Sequence, residues 1–295
     1  MNKAQFFSNG FQYDIVVSLG EWCVTSVAMR KFGIQTMSLP FDWSGGILWD
    51  KCGFGGLSGK VDLICNNFEN FFNIEDFEDR GANPQNEDYW FLWIVNKRTG
   101  LQYKHDFPTH LGFHNSFVNA KTKYLRRVDR LYNYINNSDK VLFLYISFSP
   151  GLTDSYLIEQ QLKLQQKFPQ KTVDFLCLCN DSQMSTDDVT TSDLSQNVRK
   201  ISFNFGQKMG DANDVILENV HLRNILSCIS LSPLLAAIDM YYALSPEEIN
   251  SHKSSGKLQL KYLYYWIMSK ITLGKRSKKY ETKRLFVKFL INGDT

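Results

Sequence analysis

Short apolar runs of about strand length alternate along this chain with longer segments whose apolar residues recur every three or four positions. That is the pattern of a layered α/β protein. The first run, Asp14 to Leu19, leads into Gly20-Glu21-Trp22, which reads as a tight turn, and Cys23 to Phe32 then shows helical spacing with a stop at Gly33. Cys23 is therefore predicted at a strand-to-helix junction. The stretch from Ser38 to Trp43 and the glycine-rich run through Gly56 read as irregular structure crossing the surface. Further on, Trp90–Asn96 and Leu101–Asp106 flank Lys97-Arg98-Thr99-Gly100, the arrangement of a β-hairpin turning on a glycine. Two-residue alternation along its second strand puts Leu101, Tyr103 and His105 on the inner face and Gln102, Lys104 and Asp106 on the outer one.

From Ala120 to Asn136 the positions Tyr124, Leu125, Val128, Leu131, Tyr132 and Ile135 mark the apolar side of an amphipathic helix, and Arg126, Arg127 and Arg130 an arginine-rich side. A strand at Val141–Ser147, a helix at Ser155–Phe168 and strands at Val173–Cys179 and Lys200–Phe205 continue the alternation. The polar stretch Asn180–Asn197 reads as a long mobile loop. From Asn213 the pattern is helical through Cys228, and Pro233 opens a C-terminal appendage. The expectation is a layered α/β sheet domain over residues 1–230, with an inserted hairpin, followed by a helical, basic, aromatic-rich appendage over residues 231–295.

Composition narrows this only a little: 43% hydrophobic residues over 295 positions exclude disorder. Charge changes the picture more. The formal charge of +3 divides into a body, residues 1–252, with 22 basic against 28 acidic residues, and a tail, residues 253–295, with 11 against 2. Neither a secretory signal nor an apolar stretch long enough to span a membrane is visible, so the expected compartment is the cytoplasm. Six dispersed cysteines, with no CxxC and no zinc spacing, fit a reducing environment and call for no metal, and the absence of glycine-rich phosphate loops calls for no nucleotide cofactor.

Cys23 is the leading nucleophile candidate, because the first N–H groups of a helix lack internal partners and their partial positive charge stabilises a thiolate. Glu21 opposes this, and a buried inert thiol is the alternative. Among five histidines His105 is the best-placed base, with a core imidazole as its other reading. Asp106, pointing the opposite way along a strand, is a poor partner for that imidazole. Asp42 and Asn115 are the candidate orienting residues, although Asp42 equally suits capping a turn in a packing corner that buries Phe41 and Trp43. Arg126, Arg127 and Arg130, with Trp43 and Asn115, form a candidate substrate-binding set for a phosphate or activated sugar, the alternative being a solvated helix face. Cys177 and Cys179 share a strand face and read as core residues.

Val17 to Cys23, then Arg30, Gly33-Ile34, Ser38, Pro40 to Trp43, His105-Asp106 and Tyr124 to Arg130 together resemble a bacterial family of papain-like cysteine peptidases of unknown function, over roughly residues 12–205. The resemblance implies a cysteine nucleophile with a histidine base, acting by hydrolysis or acyl transfer, and a setting among capsule and lipopolysaccharide assembly. True papains continue from the cysteine helix into a separate β-rich half, which this chain does not. The segment Tyr262 to Lys283 is similar to the closing segment of bacterial surface-polysaccharide glycosyltransferases. Its mixture of Tyr, Trp and Lys/Arg suits an anionic membrane surface better than nucleic acid. The resulting expectation is a thiol enzyme acting on a saccharide or activated donor, peripheral to the inner membrane. A sugar transferase with Cys23 structural, and a non-catalytic assembly protein, are the competing readings.

Overall fold

The computed structural model describes residues 11–35, 37–46, 56–82, 90–148, 152–206, 219–233, 264–265, 267–268 and 275–292. In chain order the strands are β1 (Phe11–Tyr13), β2 (Ile15–Ser18), β3 (Ser44–Gly46), β4 (Phe77–Ala82), β5 (Leu92–Asn96), β6 (Leu101–Tyr103), β7 (Lys140–Ser147), β8 (Thr172–Asn180), β9 (Val189–Ser195), β10 (Val198–Phe203) and β11 (Ile229–Leu231). The helices are α1 (Val24–Lys31), α2 (Leu57–Cys65), α3 (Gly112–Asn136), α4 (Asp154–Lys167), α5 (Val220–Cys228) and α6 (Lys275–Asn292).

The main sheet runs β2-β7-β8-β10-β9, parallel except for β9. Both of its faces are covered, which is why β7 reads as a continuous apolar run and not as an alternation. Val141, Phe143 and Tyr145 point into one core with α2, α3 and α4, while Leu142, Leu144 and Ile146 point into a second core with α1 and α5. The layered α/β architecture is the one the pattern predicts. A second, antiparallel sheet, β3-β6-β5-β4, contains the hairpin predicted between Trp90 and Asp106 and packs its inner face into the first core. There Phe72, Phe77, Tyr103, Phe117 and Tyr124 stack, with Phe72 and Tyr124 rings 5.1 Å apart.

Three expectations are corrected. The polar stretch after β8 is no loop throughout: Val189–Ser195 forms the edge strand β9, antiparallel to β10. An edge strand solvated on its sides needs no apolar residues, so backbone pairing alone orders it. Ser44–Gly46, expected to be irregular, is buried strand. The arginine helix starts at Gly112, eight residues before the predicted Ala120. The expected onset of the later helix at Asn213 and most of the appendage after Pro233 lie outside the described residues. Val220–Cys228 is helical, with the Asn219 side chain accepting from the Leu222 N–H at 2.9 Å.

Candidate active site

Strand β2 delivers the chain to Cys23 at the carboxyl end of the sheet. The ladder with β7 continues past the strand, through Leu19 N–H to the Leu144 carbonyl at 2.8 Å and Glu21 N–H to the Ile146 carbonyl at 3.3 Å. Gly20 is required here: a Cβ on it would lie 1.7 Å from Thr25 Oγ1. The fully buried Lys60 donates to the Gly20 carbonyl. Glu21 is also buried, and its carboxylate accepts from Tyr145 Oη at 3.1 Å, Ser147 Oγ at 2.5 Å and the Phe148 N–H at 3.0 Å. Its side chain is thus held by donors at the end of β7. Cys23, half-buried, then starts the helix, its carbonyl accepting from the Val27 N–H at 2.9 Å.

The corner containing Asp42 is tied to that first turn by Ser26, whose Oγ donates to the carbonyls of Asp42 at 2.6 Å and Cys23 at 3.0 Å. The fully buried Asp42 carboxylate accepts from the Leu39 N–H and the Gln35 amide, each at 2.7 Å, and lies 3.8 Å from the Arg30 guanidinium. These bonds are those of a turn cap; none goes to His105, so the expected orienting role has no direct bond behind it. Burial raises the Asp42 pKa to about 6, with the bonds from Leu39 and Gln35 and the charges of Arg30 and Arg127 acting against the rise. The folded protein therefore holds a proton that the unfolded chain releases, and Asp42 favours folding at pH 4 and loses that contribution as the pH rises through 6. Asp42→Asn has no such titration. Urea unfolding should show the variant gaining about 2 kcal/mol on the wild type between pH 4 and pH 7. A constant difference between the two proteins would mean that the carboxyl is not desolvated.

Pairing of β3 with β6, Ser44 opposite Tyr103 and Gly45 opposite Gln102, brings the corner against the hairpin. Trp43 and His105 meet edge to face with centroids 6.0 Å apart, and Phe91 packs on the other imidazole contact at the same distance. The expected orientation of His105 and Asp106 is reversed. Strand β6 ends at Tyr103, so alternation stops there. Asp106 turns inward, accepting from Tyr124 Oη at 2.6 Å and pairing with Lys123, while His105 stands outward and exposed. Burial of the imidazole lowers its pKa, Lys104 and Lys123 push the same way, and Asp106 opposes them.

Lys104 is the residue that sequence reasoning missed. Its ammonium lies 5.4 Å from the Trp22 ring and 5.9 Å from the Trp93 ring. Burial lowers its pKa, and the charge of Cys23 acts in the opposite direction. The signal was available, since Lys104 sits on the outward side of a hairpin next to the candidate base; what was invisible is that this outward side faces Cys23.

The three arginines do not share a face. Arg127 is buried against the Tyr124 ring at 5.0 Å, Arg130 donates to the Ser38 carbonyl at 2.8 Å, and Arg126 is exposed. A 3.6-residue period separates neighbours 126 and 127 by about 100°, enough to send one into solvent and the other into the core. The expected anion-gripping surface is therefore not formed. Asn115 is exposed and donates to the Leu111 carbonyl at 3.0 Å. Cys177 and Cys179 are core residues on one face of β8, their sulfurs 3.2 Å apart. His221 is buried with Nε2 3.0 Å from the Thr186 carbonyl, and His252 lies outside the described residues.

The fold and this site define an α/β protein with a thiol at the start of a helix, at the carboxyl end of a parallel strand, whose charge acts on a lysine that in turn acts on an exposed histidine. The chain belongs to the family described as "putative papain-like cysteine peptidase", whose profile matches residues 14–180. It is also 26% identical over 202 residues to an uncharacterized protein of Acanthamoeba polyphaga mimivirus, covering 63% of this chain and 87% of that protein. No solved structure matches the chain.

Proposed function

We propose that this protein is a cysteine-dependent acyl hydrolase, peptidase-like in its chemistry, with Cys23 as nucleophile and His105 as general base. The observation that supports the reading is that the Lys104 charge acts on both Cys23, at the helix start, and the His105 imidazole. The free N–H groups of the first turn of α1 and the Lys104 charge favour the thiolate, and the lowered imidazole pKa keeps His105 neutral and ready to accept the thiol proton. Sulfur bonds to the substrate carbonyl carbon, and the carbonyl oxygen takes the negative charge beside backbone N–H groups. As the C–N bond breaks, the imidazolium returns its proton to the departing amine. Water then hydrolyses the thioester with His105 again acting as base; a hydroxyl acceptor in place of water gives acyl transfer.

The test is the rate at which iodoacetamide alkylates Cys23 as a function of pH. The expected midpoint is at least about one unit below the ordinary thiol value of about 8.5. A curve that follows an ordinary cysteine sets the reading aside.

Location belongs to the same reading. The basic segment 253–295, with Tyr264, Tyr265 and Tyr280 clustered and Tyr264 and Ile267 exposed, is proposed to hold the enzyme at an anionic membrane surface near polysaccharide assembly. No described helix is long and apolar enough to cross a membrane. The full chain should sediment with phosphatidylglycerol vesicles at low salt and be released at about 1 M salt, where the Debye length falls to about 3 Å; failure to sediment at low salt removes this part.

A further inference from the structure

The outward face of the small sheet carries a row of alternating cations and indoles that the proposed chemistry uses only at one end. Arg80 lies over the Trp93 ring at 5.6 Å, and Lys104 over the same ring at 5.9 Å and over Trp22 at 5.4 Å. Sheet register explains the alignment. Ile94 opposes Tyr103 at the end of β6, so Trp93 and Lys104, the next residue of each chain segment, meet where that pairing ends. Gly45 leaves room for the row: a Cβ there would lie 2.5 Å from Gln102 Nε2 and 3.0 Å from the Trp22 indole. Trp93 is fixed by its N–H bond to Gln102 Oε1 at 3.0 Å. The row thus runs from β4 across β5 to the residue that follows β6, and ends on the residue that precedes Cys23. A second pair, Arg30 over Trp43 at 5.4 Å, stands next to His105.

The charges are unequally neutralised. Arg80 pairs with Glu78 at 3.3 Å and Arg30 with Asp42 at 3.8 Å, whereas Lys104 acts on His105 and is acted on by Cys23, neither of them a carboxylate. A half-buried ammonium between two indole faces is a receptor for an anionic group carried on a chain that stacks on those faces. A peptide fits better than a nucleic acid, because the thiol needs an acyl carbon to attack and a peptide bears one beside each side chain.

We infer that this row is the substrate track of the Cys23 site and that it selects acidic peptides, Lys104 receiving a substrate carboxylate and Trp22 and Trp93 bearing the chain beside it. The inference rests on the reading of Cys23 as nucleophile.

The experiment compares alkylation of Cys23 in the full chain by anionic iodoacetate and neutral iodoacetamide. Their rate ratio cancels the thiolate fraction and leaves the local field. Relative to free cysteine in the same buffer, the ratio should be raised at least about tenfold, the lower end of what a focused charge gives. It should fall severalfold in Lys104→Met, which keeps the stacked stem, and hold within about twofold in Arg80→Gln, whose charge Glu78 already offsets. Hexaglutamate should also protect Cys23 from iodoacetamide, and hexathymidylate should not. A ratio equal to that of free cysteine, at a Cys23 that still reacts as a low-pKa thiol, overturns the track and leaves the nucleophile standing. Protection by hexathymidylate in place of hexaglutamate overturns the choice of peptide. Resistance of Cys23 to both reagents across the pH range overturns the nucleophile reading itself.

Discussion

Cys23→Ala should eliminate the burst of p-nitrophenol that the wild type releases from p-nitrophenyl acetate, one equivalent per chain, while leaving the urea midpoint within about 0.5 kcal/mol of the original. An activated ester reports acylation of the thiol without knowledge of the natural substrate. The side chain is half-buried and the backbone around it is held by others, through Glu21 N–H to Ile146, Val27 N–H to Cys23 and Ser26 to both Cys23 and Asp42. Alanine therefore removes the sulfur and little else. His105→Ala should keep the burst but slow it by about 10²–10⁴ at pH 7, the usual contribution of a general base. That deficit should shrink as rising pH ionises the thiol unaided. A burst of undiminished size in Cys23→Ala would place the reactive thiol elsewhere, Cys65 and Cys228 being the other half-buried thiols among the described residues.

Gly20→Ala should cost more than about 3 kcal/mol, beyond the ordinary overpacking range, and should disable the same burst. The added methyl would sit 1.7 Å from Thr25 Oγ1 and 2.7 Å from Thr25 Cβ. Thr25 is fully buried in the first turn of α1, and Lys60 holds the Gly20 carbonyl, so neither side of the clash has room to retreat. Relief has to come from moving the helix start, which carries Cys23. Thr25→Gly in the same chain removes both clashing atoms, at a helix-glycine cost of about 1 kcal/mol. The double variant should therefore be more stable than Gly20→Ala alone, with a coupling of at least about 1 kcal/mol. Equal urea midpoints for Gly20→Ala and wild type would show that strand and helix do not approach so closely.

Most of the elements were legible because they are written locally. The run from Ile15 to Leu19, the turn at Gly20 and the helix to Gly33 follow from neighbouring residues, as does the hairpin around Gly100. Errors occurred where a local pattern ended without a local sign. Nothing in the sequence after Tyr103 announces that β6 stops, so alternation carried His105 inward and Asp106 outward, whereas the structure satisfies the Asp106 carboxylate with Tyr124 and Lys123 from a helix that begins after it. Val189–Ser195 has no apolar face to reveal it, since its order comes from pairing with β10.

The sequence by itself determined a layered α/β protein with a basic tail and Cys23 at a strand-to-helix junction, because hydrophobic period, turn residues and net charge are properties of adjacent positions. Only the tertiary structure decided what faces that thiol. Trp22, Gly45, Trp93 and Lys104 are brought together by strand register across a sheet, Glu21 is drawn to β7, and Arg127 is turned into the core. Those outcomes depend on which surfaces compete for burial and for hydrogen bonds over separations of tens to more than a hundred residues, and no local pattern encodes them.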